Sequence, residues 1–264
     1  MTAPRPAVTS SGAYLALAHT VHGEPSPAGV VIKPNGQVLL AMAPNCPRCD
    51  MDDIDPSCDC VTSQDRLEKF NRARIPARYL HATLQSLDPD GTDGWQLARF
   101  YQWIMAFSTT EPLSWEGILV SGPCGVGKTH AMAALLRHLT LGRGVAALFA
   151  DFKLLLQDIR SAFAGRGTVH EHIEPVKNAP VLVLDDVTDA NGSQWARELL
   201  DELISARYNA AVPTLLTTGL SLSGDGPHRA GQFDRWALPH TTSRLRQMCH
   251  WLTVTGPDRR AKPR

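Results

Sequence analysis

The sequence predicts an α/β fold, a parallel sheet covered by helices on both faces. Three observations carry that reading. Apolar runs without polar alternation, such as Val181-Leu-Val-Leu184, suit strands buried on both sides. Helix-length amphipathic stretches separate these runs, which is the pattern of strands joined by helical crossovers. Between one such strand and one such helix, Gly122-Pro-Cys-Gly-Val-Gly-Lys-Thr-His130 fits G-x-x-x-x-G-K-[ST], so the fold expected is a P-loop NTPase.

The 264 residues, 43% hydrophobic and 20% charged, are enough for one substantial core and a smaller appendage. No apolar run approaches the length of a membrane span, and Met1-Thr-Ala-Pro-Arg-Pro6 lacks a secretory pattern. A cytoplasmic protein that does not enter a membrane is expected. Formal charge is zero overall but unevenly placed. From His228 to Arg264, eight Lys and Arg face Asp234 and Asp258, whereas residues 1–60 lean acidic. Plain solvated surface and a nucleic-acid or nucleotide contact both fit the basic end.

Residues 1–29 carry Pro4, Pro6, Pro25 and Pro27 among small residues, and most of this stretch is expected to be poorly ordered. Val30–Ile32 and Val38–Ala41 flank Asn35-Gly36, a strong hairpin signal. Cys46-x-x-Cys49 and Cys58-x-Cys60 follow. In a reducing compartment four thiolates this close suit tetrahedral zinc, so residues 30–61 are expected to form a zinc-ribbon-like module. An Fe–S cluster or a redox pair are the alternatives. The aspartates between the pairs, Asp50 to Asp55, lack the Gly and Glu of a calcium loop and are read as a solvated turn.

Residues 62–94 read as a helical linker: a charged helix from Thr62 to about Arg74, Ile75-Pro76 ending it, and a loop to Gly94. The ATPase domain is expected over 95–264. Trp95 to Phe107 suits a buried helix, Gly117–Ser121 a strand, and Lys128 to Gly142 a helix with a glycine stop. Strands at Val145–Phe149, Val181–Leu184 and Thr214–Thr217 then alternate with helices at Phe152–Phe163 and Gln194–Asn209. A helix near Thr241–Met248 and a strand at Trp251–Val254 complete the series.

The chemistry of the motif explains its residue types. Glycines let backbone N–H groups turn toward phosphates, Lys128 brings a point charge to the β/γ oxygens, and the Thr129 hydroxyl reaches Mg²⁺. The candidate nucleotide-binding residues are Gly122, Pro123, Cys124, Gly125, Val126, Gly127, Lys128, Thr129 and His130. Asp185-Asp186 end an apolar strand about 60 residues further on, in the form of a Walker B element. Asp185 is assigned to the metal and Asp186 to the attacking water. Thr217-Thr218 end the next strand, where a hydroxyl could touch the γ-phosphate or the water. Cys124 reads as a small filler and Cys249 as core.

Together these segments resemble the DnaC/IstB group of AAA+ (ASCE) ATPases, bacterial and phage helicase loaders and insertion-sequence ATPases. The likeness runs over roughly 46–260. It rests on the cysteine pairs, Ile75-Pro-Ala-Arg-Tyr79, Gly122 to His130, Leu184-Asp-Asp186, Ile204-Ser-Ala-Arg-Tyr208 and Pro213 to Thr218. Ser243-Arg-Leu-Arg246 and Gly256-Pro-Asp-Arg-Arg260 extend it. The resemblance implies an ATPase using ATP, Mg²⁺ and Zn²⁺ that engages a DnaB-like replicative helicase and single-stranded DNA. It also implies that Arg244 acts as an arginine finger between self-associated subunits and that Arg260, or else Arg259, acts as a sensor-2-like residue. An IstB-like ATPase binding duplex DNA and a transposase is the nearest rival, and a non-hydrolysing nucleotide-binding scaffold a further one. One departure bears on rate: Gly219 stands where the family usually places a sensor-1 Asn, with Thr218 as its substitute.

Overall fold

The computed structural model describes residues 29–33, 35–41, 59–87, 95–165, 167–188, 193–223 and 231–260. Cys46, Cys49 and Cys58 lie outside the described residues, as do residues 1–28. Of Cys60 only the backbone is described, inside the first turn of helix α1 (Asp59–Arg72).

Five strands form one parallel sheet: β3 (Gly117–Ser121), β4 (Ala147–Asp151), β5 (Val181–Asp185), β6 (Thr214–Thr218) and β7 (Cys249–Thr253). Their order across the sheet is β4-β5-β6-β3-β7, and every pairing is parallel. The apolar runs are continuous because both faces are buried, and successive residues alternate between two cores. Ile118, Val120, Val181, Val183 and Leu215 belong to one core, with α2 (Trp95–Thr109) and α3 (Lys128–Arg137). Leu119, Leu182, Leu184 and Leu216 belong to the other, with α4 (Phe152–Phe163), α5 (Val169–Asn178), α6 (Gln194–Asn209), α7 (Gln232–Trp236) and α8 (Pro239–Met248).

The hairpin forms as expected: β1 (Gly29–Ile32) pairs antiparallel with β2 (Val38–Ala41). The stretch expected as a linker instead contributes to the core over its described residues, 62–87. Leu67 and Phe70 on α1 and Ala73 just past its end, spaced three apart, are buried with Val38 and Leu40 of the hairpin and with α3. The Phe149 N–H donates to the Ala73 carbonyl at 2.7 Å, so the chain leaving α1 is fastened to edge strand β4. A helix with an apolar face of that spacing gains more from this burial than from solvent. In consequence the hairpin, α1 and residues 75–87 pack into the core of the sheet and its helices rather than beside it.

Among the described residues, two α-helices have no counterpart in the sequence expectation. α5 contains Pro175, which argues against a helix, but Thr168 and Glu171 form a capping box that marks its start. α7 has five residues, too few for periodicity to register. Arg207 closes the end of α5: its guanidinium is fully buried and donates to the Val176, Lys177, Ala179 and Pro213 carbonyls and to Thr214 Oγ1. Burial lowers its pKa to about 10, which still leaves it charged, and the helix C-terminus favours that charge.

Candidate nucleotide site

Strand β3 is buried at every position and delivers the chain at the C-terminal edge of the sheet, where ligands bind in open parallel sheets. The loop that follows, 122–127, turns directly into α3, so the first N–H groups of that helix face the loop's concavity. Gly127 has φ +110°, and a Cβ there would stand 3.0 Å from the Tyr101 hydroxyl. Gly125 has φ +80°, and a Cβ would meet the Asp258 carboxylate at 1.7 Å. Lys128 Nζ donates to the Gly122 and Pro123 carbonyls at 2.6 and 2.8 Å, which holds the ammonium across the loop. Burial lowers its pKa, while Cys124, Asp185 and Asp186 pull the other way. A partly desolvated cation in this position favours an anion beside it. Cys124 is exposed on the loop, not a filler.

The acidic pair divides in two. Asp185 is buried; its Oδ1 and Oδ2 accept from the Thr129 hydroxyl at 3.0 and 3.2 Å, and Oδ1 accepts from Thr217 Oγ1 at 2.6 Å. Burial raises its pKa, offset by those two hydroxyl donors. Asp186 turns the opposite way: its backbone is left-handed, φ +53°, and its half-exposed carboxylate takes Lys153 Nζ at 2.7 Å. A non-glycine residue in that conformation is held by its surroundings. Here the Thr217 hydroxyl supplies one hold, accepting from the Asp186 N–H at 2.9 Å.

Thr217 is thus the hydroxyl at this site, and Thr218 is not. Thr218 Oγ1 donates to the Val187 carbonyl at 3.0 Å and is fully buried, because neighbours on a strand face opposite sides. It therefore does not stand in for a sensor-1 Asn. Gly219 leads away from β6 with nothing within 4 Å of where a Cβ would sit.

A cleft of about 1220 Å³ opens around the loop. It gathers Gly125, Gly127, Lys128, Thr129, His130, Asp185, Asp186 and Thr217 with residues not expected at a nucleotide site from the sequence, among them Asn35, Gln37, Arg78, Tyr79 and Ser86. His130 stands between the two groups: its Nε2 is 2.9 Å from Ser86 Oγ, and its ring meets Tyr79 edge-on at 6.4 Å. Burial, then Arg259, lowers the His130 pKa, so the ring is neutral at pH 7. Arg259 and Arg260 both line the cleft, the Arg259 N–H donating to the Gly125 carbonyl at 3.1 Å. Arg244 lies outside it. On α8, a third exposed, it donates to Asp201 Oδ1 at 3.2 Å, and Asp201 also meets Thr241 and His240. Cys249 is core, as expected.

The residues fit a hard divalent ion, since Thr129 Oγ1 and the Asp185 carboxylate put oxygen donors side by side next to the phosphate loop. Among the described residues no group of three or more His, Cys, Asp or Glu is arranged to hold a metal by itself, and no helix is long and apolar enough to cross a membrane.

Comparison with known proteins matches this geometry. The profile described as IstB-like ATP binding protein matches residues 69–264. A protein of Mycobacterium tuberculosis, described as an ATP-binding protein in an insertion sequence, is 30% identical over 154 residues, covering 56% of this chain and 57% of its own. The replicative helicase loader DnaI of Bacillus subtilis is 28% identical over 54% of this chain and 45% of its own. The chain thus spans about half the length of these two relatives. Among solved structures, the DnaC helicase loader superposes with a TM-score of 0.55 at 27% identity, over 67% of this chain and 98% of that one. AMPPCP-bound DnaA from Aquifex aeolicus, at 18% identity and a TM-score of 0.51 over 66% of this chain and 50% of that one, shares the fold.

Proposed function

The chain belongs to the IstB-like ATP-binding protein family of P-loop AAA+ ATPases, and on that premise we propose that it is a cytoplasmic, helicase-loader-like ATPase of DNA replication. It binds ATP with Mg²⁺, hydrolyses it, and engages a DnaB-like helicase and single-stranded DNA. The observation that carries the nucleotide half is the Thr129–Asp185 contact beside Lys128, which joins the phosphate loop to the end of β5. When bound there, Mg²⁺ would neutralise charge developing on the phosphates. Asp186 orients the attacking water, Lys128 and Arg260 face the phosphates, and His130 closes the loop's far side. Arg244, held by Asp201 away from its own cleft, acts across a subunit boundary as the arginine finger. Cys46, Cys49, Cys58 and Cys60 hold a structural zinc, for which metal analysis should return about one ion per chain.

A second reading is favoured by the insertion-sequence relative, which matches a larger share of its own length than the helicase loader does. In that reading the partners are duplex DNA and a transposase. One experiment separates the two: steady-state ATP hydrolysis alone, with single-stranded DNA, with duplex DNA and with a DnaB-like helicase, beside Lys128→Ala. Stimulation by single strands and helicase supports the loader; stimulation by duplex alone selects the transposition ATPase. Tight ATP binding without turnover under every condition would select a non-hydrolysing scaffold. Equal turnover by Lys128→Ala would end the nucleotide reading itself.

A further inference from the structure

The polyphosphate end of the cleft is fixed by the loop, Lys128, Thr129 and the acidic pair, all of which are charged or present backbone N–H groups. The wall beyond His130 is of another kind. Tyr79 presents a ring with the Arg78 guanidinium 5.2 Å over it, Ser86 meets His130, and Asn35, Gly36 and Gln37 stand along the same cleft. An aromatic ring beside neutral polar side chains suits a flat heteroaromatic group better than a phosphate.

The hairpin tip is fastened to that wall at several points. The Ala77 N–H donates to the Gly36 carbonyl at 2.8 Å, and Gln37 bridges to Pro76. Gln37 Nε2 donates to the Asn71 carbonyl at 2.7 Å, while the Asn71 carboxamide pairs with the Leu40 N–H and carbonyl at 2.7 and 3.0 Å. Asn35 Oδ1 accepts from the Gln37 N–H at 3.1 Å, which orders the turn. Among the described residues no acceptor meets Asn35 Nδ2, although the side chain is exposed and lines the cleft. Thus one half of this carboxamide shapes the turn, and its amide nitrogen is a donor without an acceptor among the described residues, on a side chain that lines the cleft.

We propose that the hairpin tip, Asn35 to Gln37, forms the nucleoside wall of the cleft, with Asn35 donating from Nδ2 to the base or ribose of the bound nucleotide. The inference rests on the nucleotide reading above and adds a part of the chain that lies outside the matched family region, residues 69–264. The hairpin then acts as a nucleotide-contacting element of the ATPase.

The test is calorimetric titration of the full chain with ATP and, separately, with inorganic tripolyphosphate. Asn35→Ser keeps an oxygen for the Gln37 N–H and removes only the amide donor; Asn35→Ala removes both. Both variants should raise the Kd for ATP roughly fivefold, the loss of one ordinary hydrogen bond, and leave tripolyphosphate unchanged. A parallel change for both ligands, or no change for either, would overturn the proposal. Wild-type protein that binds tripolyphosphate as tightly as ATP would overturn the nucleoside wall while leaving the phosphate loop intact. Wild-type protein that binds neither ligand would remove the nucleotide reading first, and this one with it.

Discussion

The two walls of the cleft are assembled on different terms. The phosphate wall comes from one continuous stretch, Gly122 to His130, set by its own backbone between a strand and a helix. The opposite wall is gathered from Asn35–Gln37, Arg74–Tyr79 and Ser86, segments that meet because α1 packs beside β4. The first depends on backbone conformation and the second on packing, so substitutions should affect them differently.

The largest effect should follow from breaking the backbone-determined wall. Gly127→Ala forces a side chain onto φ +110° and against Tyr101, a strain of about 1–3 kcal/mol. That strain falls on the phosphate-holding conformation, so ATP and tripolyphosphate should weaken together, by roughly five- to hundredfold in calorimetry. Selective loss of ATP would show that the loop holds more than phosphate.

Asn71→Ala attacks the packed wall at its fastening. It removes two hydrogen bonds to Leu40, which should lower stability by about 1–2 kcal/mol in denaturant unfolding. ATP should weaken while tripolyphosphate binding stays within twofold of wild type, about the scatter of such a measurement. If both ligands weaken equally, the two walls are one cooperative unit.

Lys153→Met acts between the walls and the chemistry. The Lys153–Asp186 pair is half exposed on both sides, so its contribution is about 0–1 kcal/mol and stability should not move. Freed from the ammonium, the carboxylate is a better acceptor for water, and kcat should rise by up to about fivefold with KM unchanged. A fall in kcat would make Lys153 a helper of the reaction and not its restraint.

The smallest change is Gly219→Asn. Its side chain enters open space, so stability should stay within about 0.5 kcal/mol. An amide at the exit of β6 should speed hydrolysis a few-fold in single-turnover assays; an unchanged rate would show that Thr217 already serves the water.

Much of this was legible in residues taken singly or in short runs. Phe152–Phe163 and Gln194–Asn209 carry clear helical spacing and are helices over those very residues. The Lys128–Thr129 and Asp185–Asp186 pairs come to one cleft because their motifs sit at the C-terminal ends of two parallel strands, β3 and β5, with only β6 between them. Less legible was which of two adjacent residues would face the site. Thr217 and Thr218 are chemically alike, and only the alternation of β6 assigns Thr217 to Asp185 and Thr218 to Val187. Arg207 and Arg244 differ as strongly: one is a buried clasp on the end of α5, the other a part-exposed cation on Asp201.

What the sequence determined by itself was the phosphate loop, its acidic counterpart and the layered sheet, because backbone conformation and hydrophobic period are local properties. Only the tertiary structure decided that residues 62–87 lend one face to the core and that the hairpin tip borders the nucleotide cleft. Those placements arise when the apolar face of α1 and the free edge of β4 find each other across more than seventy residues, and no window of the chain contains both.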